Sequence, residues 1–160
     1  MSATIIDGKA IAAQVRGEVA EKVSALKAKG ITPCLAVILV GENPASVSYV
    51  TGKQKALAEV GMADRSLHLP ESTTEEELLK IIDDLNKDTA VHGILVQLPL
   101  PKHLDDKTII NNIRPEKDVD AFHPVNVGKI MIGNFDFLPC TPAGVMELLD
   151  DAGIELSGKN

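Results

Sequence analysis

The chain has 160 residues, 44% of them hydrophobic, and a formal net charge of −7. This length predicts one compact domain, and the negative charge, with one tyrosine, three phenylalanines and no tryptophan, argues against a nucleic-acid surface. No segment is long and apolar enough for a membrane span or a secretory signal, and Cys34 and Cys140 stand apart without a metal-binding pattern. We therefore expect a cytoplasmic protein with reduced cysteines, no metal, no membrane or nucleic-acid partner, and a small-molecule ligand.

Apolar runs rich in β-branched residues alternate with amphipathic segments through the first part of the chain. In order, the patterns predict a helix over 9–30, a strand over 33–40, a helix over 44–60, a strand over 66–70, a helix over 72–86 and a strand over 91–97. Asn43 as cap and Gly61 as stop bound the second helix, and Ser72 and Thr73 each precede a glutamate by three residues, as in a capping box. This alternation is typical of an α/β fold with a mostly parallel sheet and flanking helices.

The remaining chain has fewer strand signals. The prolines of LPLP, residues 98–101, predict an extended exit from the last strand, and a short helix is expected over 104–113. A further helix is predicted over 141–153, with Thr141 as cap and Pro142 in its first turn. We expect residues 1–153 to form one domain, because the tail over 154–160 adds no strand to it.

Tyr49 and Lys53 lie four residues apart in the second predicted helix, on a stripe that also holds Ala56 and Val60. Removal of a lysine amine from water favours its neutral form, so an amine beside apolar surface can exchange a proton near neutral pH. The alternative is a lysine whose stem covers apolar residues and a tyrosine that fills the seam between helix and sheet. Spacing alone favours this second interpretation.

Polar groups also follow two later segments. Gln97 ends a buried strand, where α/β sheets bind ligands, and its amide can accept from an ammonium while donating to a ligand; the alternative is that it caps loop backbone. In an extended segment Asp118 and Asp120 would point to opposite sides, so one could pair with Lys117 or Arg114 while the other faces a pocket. The alternative is a solvated acidic loop.

Four motifs, in this order and at these separations, resemble the bifunctional methylenetetrahydrofolate dehydrogenase/cyclohydrolase family: YVTGKQKA, GILVQLPLP, PEKDVDAFHPVNVGK and PCTP. The segments IIDGKAIA and GENPAS fit it too, so the resemblance runs from Ile5 to the last residue. It implies a cytoplasmic enzyme that oxidises 5,10-methylenetetrahydrofolate with NADP⁺ to the 5,10-methenyl form and hydrolyses that form to 10-formyltetrahydrofolate. This is one-carbon chemistry that serves purine and amino-acid biosynthesis.

The resemblance also implies roles for individual residues. They are Lys53 as acid/base, Gln97 as its positioning partner, Tyr49 as the aromatic neighbour that stacks on the folate, Asp120 as pterin anchor, and Leu98 and Pro99 as further substrate contacts. Two positions depart from the family pattern. Gly52 stands where serine is common, and Ala121, where glycine is usual, would resist a positive φ and so alter the shape of the Asp120 loop.

Family members continue into a Rossmann-type domain whose glycine-rich turn holds NADP. The segment VNVGKIMIG lacks the strand-to-helix context of such a turn. We therefore expect residues 1–153 to be the amino-terminal, folate-binding catalytic domain, residues 154–160 to begin a linker to the absent Rossmann domain, and no cofactor-binding residue in this chain. The resemblance further implies a homodimeric parent built largely through that domain, with this chain alone monomeric. The other hypotheses are a folate-binding module without turnover, and the amino-terminal domain of another two-domain dehydrogenase, such as the shikimate or amino-acid types.

Overall fold

A computed structural model of the chain describes residues 5–158. Its elements, in chain order, are α1 (Gly8–Lys27), β1 (Cys34–Val40), α2 (Pro44–Val60), β2 (Ala63–Asp64), β3 (Leu67–Leu69), α3 (Glu75–Lys87), β4 (Gly93–Val96), α4 (Asp106–Asn111), α5 (Pro124–Met131) and α6 (Cys140–Asp151). The predicted alternation of helices and strands is confirmed. None of the helices within residues 5–158 combines the length and hydropathy needed to cross a membrane.

The sheet is built around β1, and every strand pair in it is parallel. Residues 35–38 of β1 pair with β4 on one side. On its other side β1 pairs first with β2, where Leu35 opposes Asp64, and then with β3, where Ile38 opposes Leu67. A single parallel bridge between Ile94 and Asp118 lies beyond β4. The predicted α/β class with a mostly parallel sheet is therefore confirmed.

The hydrophobic core lies on both faces of the sheet. On one face Ala36, Ile38 and Val40 of β1 pack with apolar residues of α3 and with Ile109 of α4. The intervening residues of β1 point to the opposite face, where they pack with Val50 of α2. Helix α1 contacts α2 and α6, and α6 has no buried residue. Helix α2 therefore contacts α1 as well as strands β1 and β2, with Val50, Leu57 and Val60 buried.

Helix α2 begins and ends as its sequence predicts. The Asn43 side chain accepts hydrogen bonds from the backbone N–H groups of Ala45 and Ser46, which have no partner inside the helix. Gly61 closes the helix with φ of 78°, a left-handed conformation that glycine adopts at little cost. Both signals are local to the chain, which is why sequence alone locates them.

Two predicted helix caps are wrong. Helix α3 is capped by Thr74, not by Ser72 or Thr73: its backbone N–H donates to Glu77 Oε2 at 2.8 Å, and its hydroxyl accepts from the Glu77 N–H at 3.3 Å. Helix α6 begins at Cys140 without a side-chain cap, so Thr141 lies inside the helix. The proline that follows is tolerated there because the first-turn N–H groups have no intrahelical acceptor.

Two elements were not predicted. Strand β2 has only two residues, and its pairing with β1 depends on contacts remote in sequence. Helix α5 lies in a segment for which no helix or strand was predicted. His123 caps it by accepting from the Val125 N–H at 3.1 Å, and Pro124 occupies its first turn. The chain between α4 and α5 therefore folds as a set of turns, and the expectation of an extended segment around Asp118 and Asp120 is wrong.

Candidate active site

Lys53 and Gln97 meet at the carboxyl end of the sheet. The Lys53 Nζ donates a hydrogen bond to Gln97 Oε1 at 2.7 Å, from the middle of α2 to the residue after β4. The Gln97 backbone N–H donates to Ile38 O at 2.8 Å, so this residue is still held by the β1 ladder. Its side-chain NH₂ donates to Leu98 O at 2.8 Å, which aims the amide oxygen at the lysine. Gln97 thus binds loop backbone and the ammonium together.

Tyr49 lies one helical turn before Lys53 and its side chain is 68% exposed. The alternative in which this ring fills the seam between helix and sheet is therefore wrong, because Val50 and Leu57 occupy that buried position. Lys53 itself is half-buried between the exposed ring and the apolar face of α2. An exposed aromatic face beside an amine suits a flat ligand.

Asp118 is buried, with only 2% of its surface exposed. Its Oδ2 accepts hydrogen bonds from the His123 backbone N–H at 2.8 Å and from Asn126 Nδ2 at 2.9 Å. The expected ion pair with Lys117 or Arg114 is not formed. The reason is geometric, because the turn aims the carboxylate at the start of α5.

The two basic residues have other partners. Lys117 Nζ donates to the backbone carbonyls of Leu85 at 2.9 Å and Asp88 at 2.7 Å, at the end of α3. Arg114 lies beside Glu116 at 3.9 Å, on the surface. Lys117 therefore fastens the turn to α3 instead of neutralising an aspartate.

Asp120 is half-buried and lies within reach of the Lys53 charge. Burial raises the pKa of the Asp120 carboxyl, the positive charge of Lys53 opposes that rise, and the Asp118 carboxylate adds to it. The next residue, Ala121, is fully buried and has φ of 56°. The expectation that alanine would avoid this left-handed conformation is wrong, because the loop holds Ala121 in it.

The PCTP motif reaches the same place through Cys140, the first residue of α6. Burial raises the pKa of the Cys140 thiol, the Asp120 carboxylate adds to the rise, and the Lys53 charge opposes it. Cys140 is not among the residues predicted for the site, although its motif carries part of the resemblance. Lys53 thus connects residues of the other three motifs, because it binds Gln97 and its charge acts on Asp120 and Cys140.

Comparison with known proteins identifies the family of the chain. Residues 6–120 match the sequence model of a family described as tetrahydrofolate dehydrogenase/cyclohydrolase, catalytic domain. The chain belongs to this family.

Relatives within the family include the bifunctional protein FolD of Bacillus pumilus, 58% identical over 159 residues, with 99% of this chain and 56% of that protein covered. The crystal structure of the FolD dehydrogenase/cyclohydrolase of Campylobacter jejuni is 53% identical with a TM-score of 0.94, covering 98% of this chain and 56% of that one. The Trypanosoma brucei enzyme, solved with NADP and an inhibitor, is 41% identical with a TM-score of 0.94, covering 99% and 55%. The chain spans about half the length of these relatives.

Leu98 and Pro99, also predicted at the substrate, follow Gln97 through a cis peptide bond between them. Leu98 packs against the core. Pro99 lines a cavity of about 360 Å³ at the carboxyl ends of β1 and β4, with Val40, Gly41, Glu42, Asn43, Glu71, Leu100 and Pro101. Lys53 and Gln97 do not line this cavity.

Within residues 5–158 no glycine-rich turn of the kind that binds the pyrophosphate of NADP leads from a strand into a helix. Such a group binds free N–H groups at a helix start after a glycine-rich turn. The N–H groups of Ala45 and Ser46 in α2 already bind the Asn43 side chain, and in α5 the Val125 N–H binds His123. Within residues 5–158 no group of three or more His, Cys, Asp or Glu side chains is placed to hold a metal ion.

Proposed function

We propose that this chain is the folate-binding, catalytic half of a cytoplasmic bifunctional enzyme. The enzyme oxidises 5,10-methylenetetrahydrofolate with NADP⁺ to 5,10-methenyltetrahydrofolate and hydrolyses the product to 10-formyltetrahydrofolate. The observation that carries the proposal is the 2.7 Å hydrogen bond from Lys53 to Gln97, with the Asp120 carboxyl close enough to interact with the same charge. Family membership and the names of the relatives, bifunctional FolD proteins, support it.

Hydrolysis is the step in which side chains of this chain act most directly. Water attacks the cationic methenyl carbon and loses a proton, and the bond from that carbon to the pterin ring nitrogen then breaks as this nitrogen takes up a proton. One further proton is released to solvent. A single amine can accept the first proton and donate the second, and such acid/base catalysis contributes about 10²–10⁴-fold to a rate. We assign this role to Lys53.

The neighbouring residues orient the reactants. Gln97 restrains the Lys53 amine through its amide oxygen, because its NH₂ group is held by Leu98 O. The exposed Tyr49 ring offers a flat surface to the folate one helical turn from that amine. Asp120 accepts hydrogen bonds from the pterin amino and ring N–H groups, which fixes the ring in one orientation.

NADP⁺, when bound, supplies the hydride acceptor for the oxidation. Since residues 5–158 contain no glycine-rich turn of this kind for its pyrophosphate, we propose that a Rossmann-type domain of the full-length protein binds it. Residues 1–153 would then be the folate domain and residues 154–160 the start of the linker. The homodimer implied by the family would form largely through that second domain, with this chain alone monomeric.

The lysine's role is tested in the full-length protein by comparing Lys53→Met with Lys55→Met. Lys55 lies on the same helix but is exposed, so its replacement should leave both activities unchanged. Lys53→Met should reduce cyclohydrolase turnover by roughly 10²-fold or more and affect hydride transfer less. Turnover is followed by the loss of methenyltetrahydrofolate absorbance. Full hydrolysis by Lys53→Met would remove the lysine from the mechanism.

The isolated chain distinguishes an enzyme from a binding module. We expect it to bind the folate, and the rate at which it removes methenyltetrahydrofolate shows whether this half alone turns over. A rate no greater than that of buffer supports the module hypothesis for the isolated chain. The remaining hypothesis, another type of two-domain dehydrogenase, is not favoured, because residues 6–120 match the tetrahydrofolate family.

A further inference from the structure

The turn that carries Asp120 is fastened to the sheet on its amino-terminal side. The Ile94 backbone N–H donates to Lys117 O at 2.7 Å, and Ile94 forms a parallel bridge with Asp118. The side chain of Val119 packs over Gly93, where an added Cβ would lie only 2.6 Å from Val119 Cγ1. The backbone up to residue 119 is therefore part of the folded core.

On its carboxyl-terminal side the turn is closed by a buried carboxylate–amide pair. Asp118 and Asn126 are 2% and 3% exposed, and their side chains are joined by the 2.9 Å bond from Asn126 Nδ2 to Asp118 Oδ2. Asn126 Nδ2 also donates to Pro115 O at 2.9 Å, and the His123 N–H donates to the same Asp118 oxygen. A buried carboxylate is costly without such donors. These bonds enclose the turn from residue 118 to residue 123, with Asp120 on it.

The turn needs this support because its own backbone conformation is unfavourable. Ala121 has φ of 56°, a left-handed conformation that is unfavourable for a residue with a Cβ. Its N–H donates to Asp118 O at a long 3.3 Å, so the bond within the turn is weak. The shorter bonds on either side of Ala121 are those of the Asp118 side chain to the His123 N–H and to Asn126.

We propose that Asp118 and Asn126 are positioning residues for Asp120: their buried hydrogen bond holds the turn in the conformation that presents the Asp120 carboxyl to the pterin. The proposal rests on the proposed function, because the pterin belongs to that function. Asp118 and Asn126 act through Asp120 and require no contact with the substrate. Their loss changes how well the folate binds before it changes the chemistry of the bound folate.

Asn86 offers a matched control. It is also a buried asparagine, 8% exposed, and its side chain also ties loop backbone: Nδ2 donates to Asn112 O at 2.7 Å, and Oδ1 accepts from the Arg114 N–H at 3.0 Å. These bonds join α3 to the loop after α4 and do not reach Asp120. Asn126→Ala and Asn86→Ala thus remove comparable buried bonds from the segment between α4 and α5, but only Asn126 binds the Asp118 side chain.

The test measures the affinity of the full-length protein for 5,10-methenyltetrahydrofolate. We expect Asn126→Ala to weaken binding on the order of tenfold, with turnover at saturating folate largely kept, and Asn86→Ala to leave the affinity unchanged. In an Asp120→Asn background, Asn126→Ala should weaken binding by less than about twofold, because residues that act through one group are not additive. Asp118→Asn, whose amide oxygen can still accept both bonds, should bind more tightly than Asp118→Ala.

The positioning role would be overturned if Asn126→Ala and Asn86→Ala had equal folate affinities. It would also be overturned if Asn126→Ala weakened folate binding as much in the Asp120→Asn background as it does alone. A readout without folate separates this failure from that of the proposed function. Carboxyl NMR titration should show the raised pKa of Asp120 falling towards its ordinary value in Asn126→Ala and not in Asn86→Ala, because the turn opens to water. If that shift occurs in a protein that does not bind folate, the positioning role stands and the proposed function fails.

Discussion

Gly93, the first residue of β4, is buried where the strand passes under Val119. A Cβ added at this position would lie 2.6 Å from Val119 Cγ1 and 3.1 Å from Leu35 Cδ1. Carbon atoms pack best at about 3.5–4.0 Å, so Gly93→Ala requires a movement of roughly 1 Å. Val119 has little freedom to move, because the residue before it is bound to Asn126 and to the sheet.

The size of the effect follows from two opposing contributions. Forcing a methyl group into a packed core costs about 1–3 kcal/mol. Alanine in a strand is favoured over glycine by roughly 0.5–1 kcal/mol, because the unfolded chain is less flexible. We therefore expect Gly93→Ala to lower the free energy of unfolding by about 1–2 kcal/mol.

Urea unfolding of Gly93→Ala, Val119→Ala and the double variant of the 160-residue chain tests the cause. Val119→Ala removes the atom that is too close, so the double variant should be more stable than the sum of the single effects by about 1–2 kcal/mol. Gly17→Ala is the control: nothing lies within 4 Å of its added Cβ, so it should stabilise α1. If the effects of the two single variants sum to that of the double variant within about 0.5 kcal/mol, the contact between Gly93 and Val119 is not the cause.

Gly52→Ala should raise the free energy of unfolding by about 1 kcal/mol, because an added Cβ meets nothing within 4 Å on α2; thermal unfolding measures this. Thr74→Ala removes the cap of α3, so it should lower the free energy of unfolding measured by urea titration by about 1 kcal/mol. Ser72→Ala should change the same free energy by less than about 0.5 kcal/mol. Asp120→Asn should weaken folate binding by about 1.5–3 kcal/mol, roughly ten- to a hundredfold, and lower both activities of the full-length protein together. The raised pKa of Asp120 means that the folded state holds this proton more tightly than the unfolded chain does, so the contribution of Asp120 to the free energy of unfolding falls as pH rises above about 3.9. Asp120→Asn should therefore have a higher free energy of unfolding than the unsubstituted protein at neutral pH. Below pH ~3.9 the two proteins should no longer differ in this way.

Local signals explain most of what the sequence predicted correctly. Asn43 and Gly61 act within a few residues of α2, so a cap and a stop can be located without the rest of the fold. The same logic was insufficient at α3, where Ser72, Thr73 and Thr74 are each followed by a glutamate three residues later. Which of these three residues caps the helix depends on where the preceding chain leaves β3, and tertiary contacts determine that position.

The conformation of the region around Asp118 could not be predicted from local signals. Asp118 and Asp120 were expected in an extended segment, but they lie in the turns that precede α5. The positive φ of Ala121 and the bond from Asn126 to Asp118 do not follow from any periodic pattern of apolar residues in the sequence. The pairing of Lys53 with Gln97 is also non-local, and it was expected only because the strand-end position and the resemblance agreed.

The division of the strand beside β1 into β2 and β3 affects how the chain meets other chains. Arg65 and Ser66 interrupt the strand, and the Asp64 side chain accepts from the Ser66 N–H at 2.9 Å, closing a tight turn there. A long, unbroken outer strand offers a row of free N–H and C=O groups to any passing β-segment. Here that row is cut into pieces of two and three residues, and the far side of β4 is partly covered by the bridge to Asp118. The chain thereby limits edge-to-edge aggregation while keeping the carboxyl end of its sheet open.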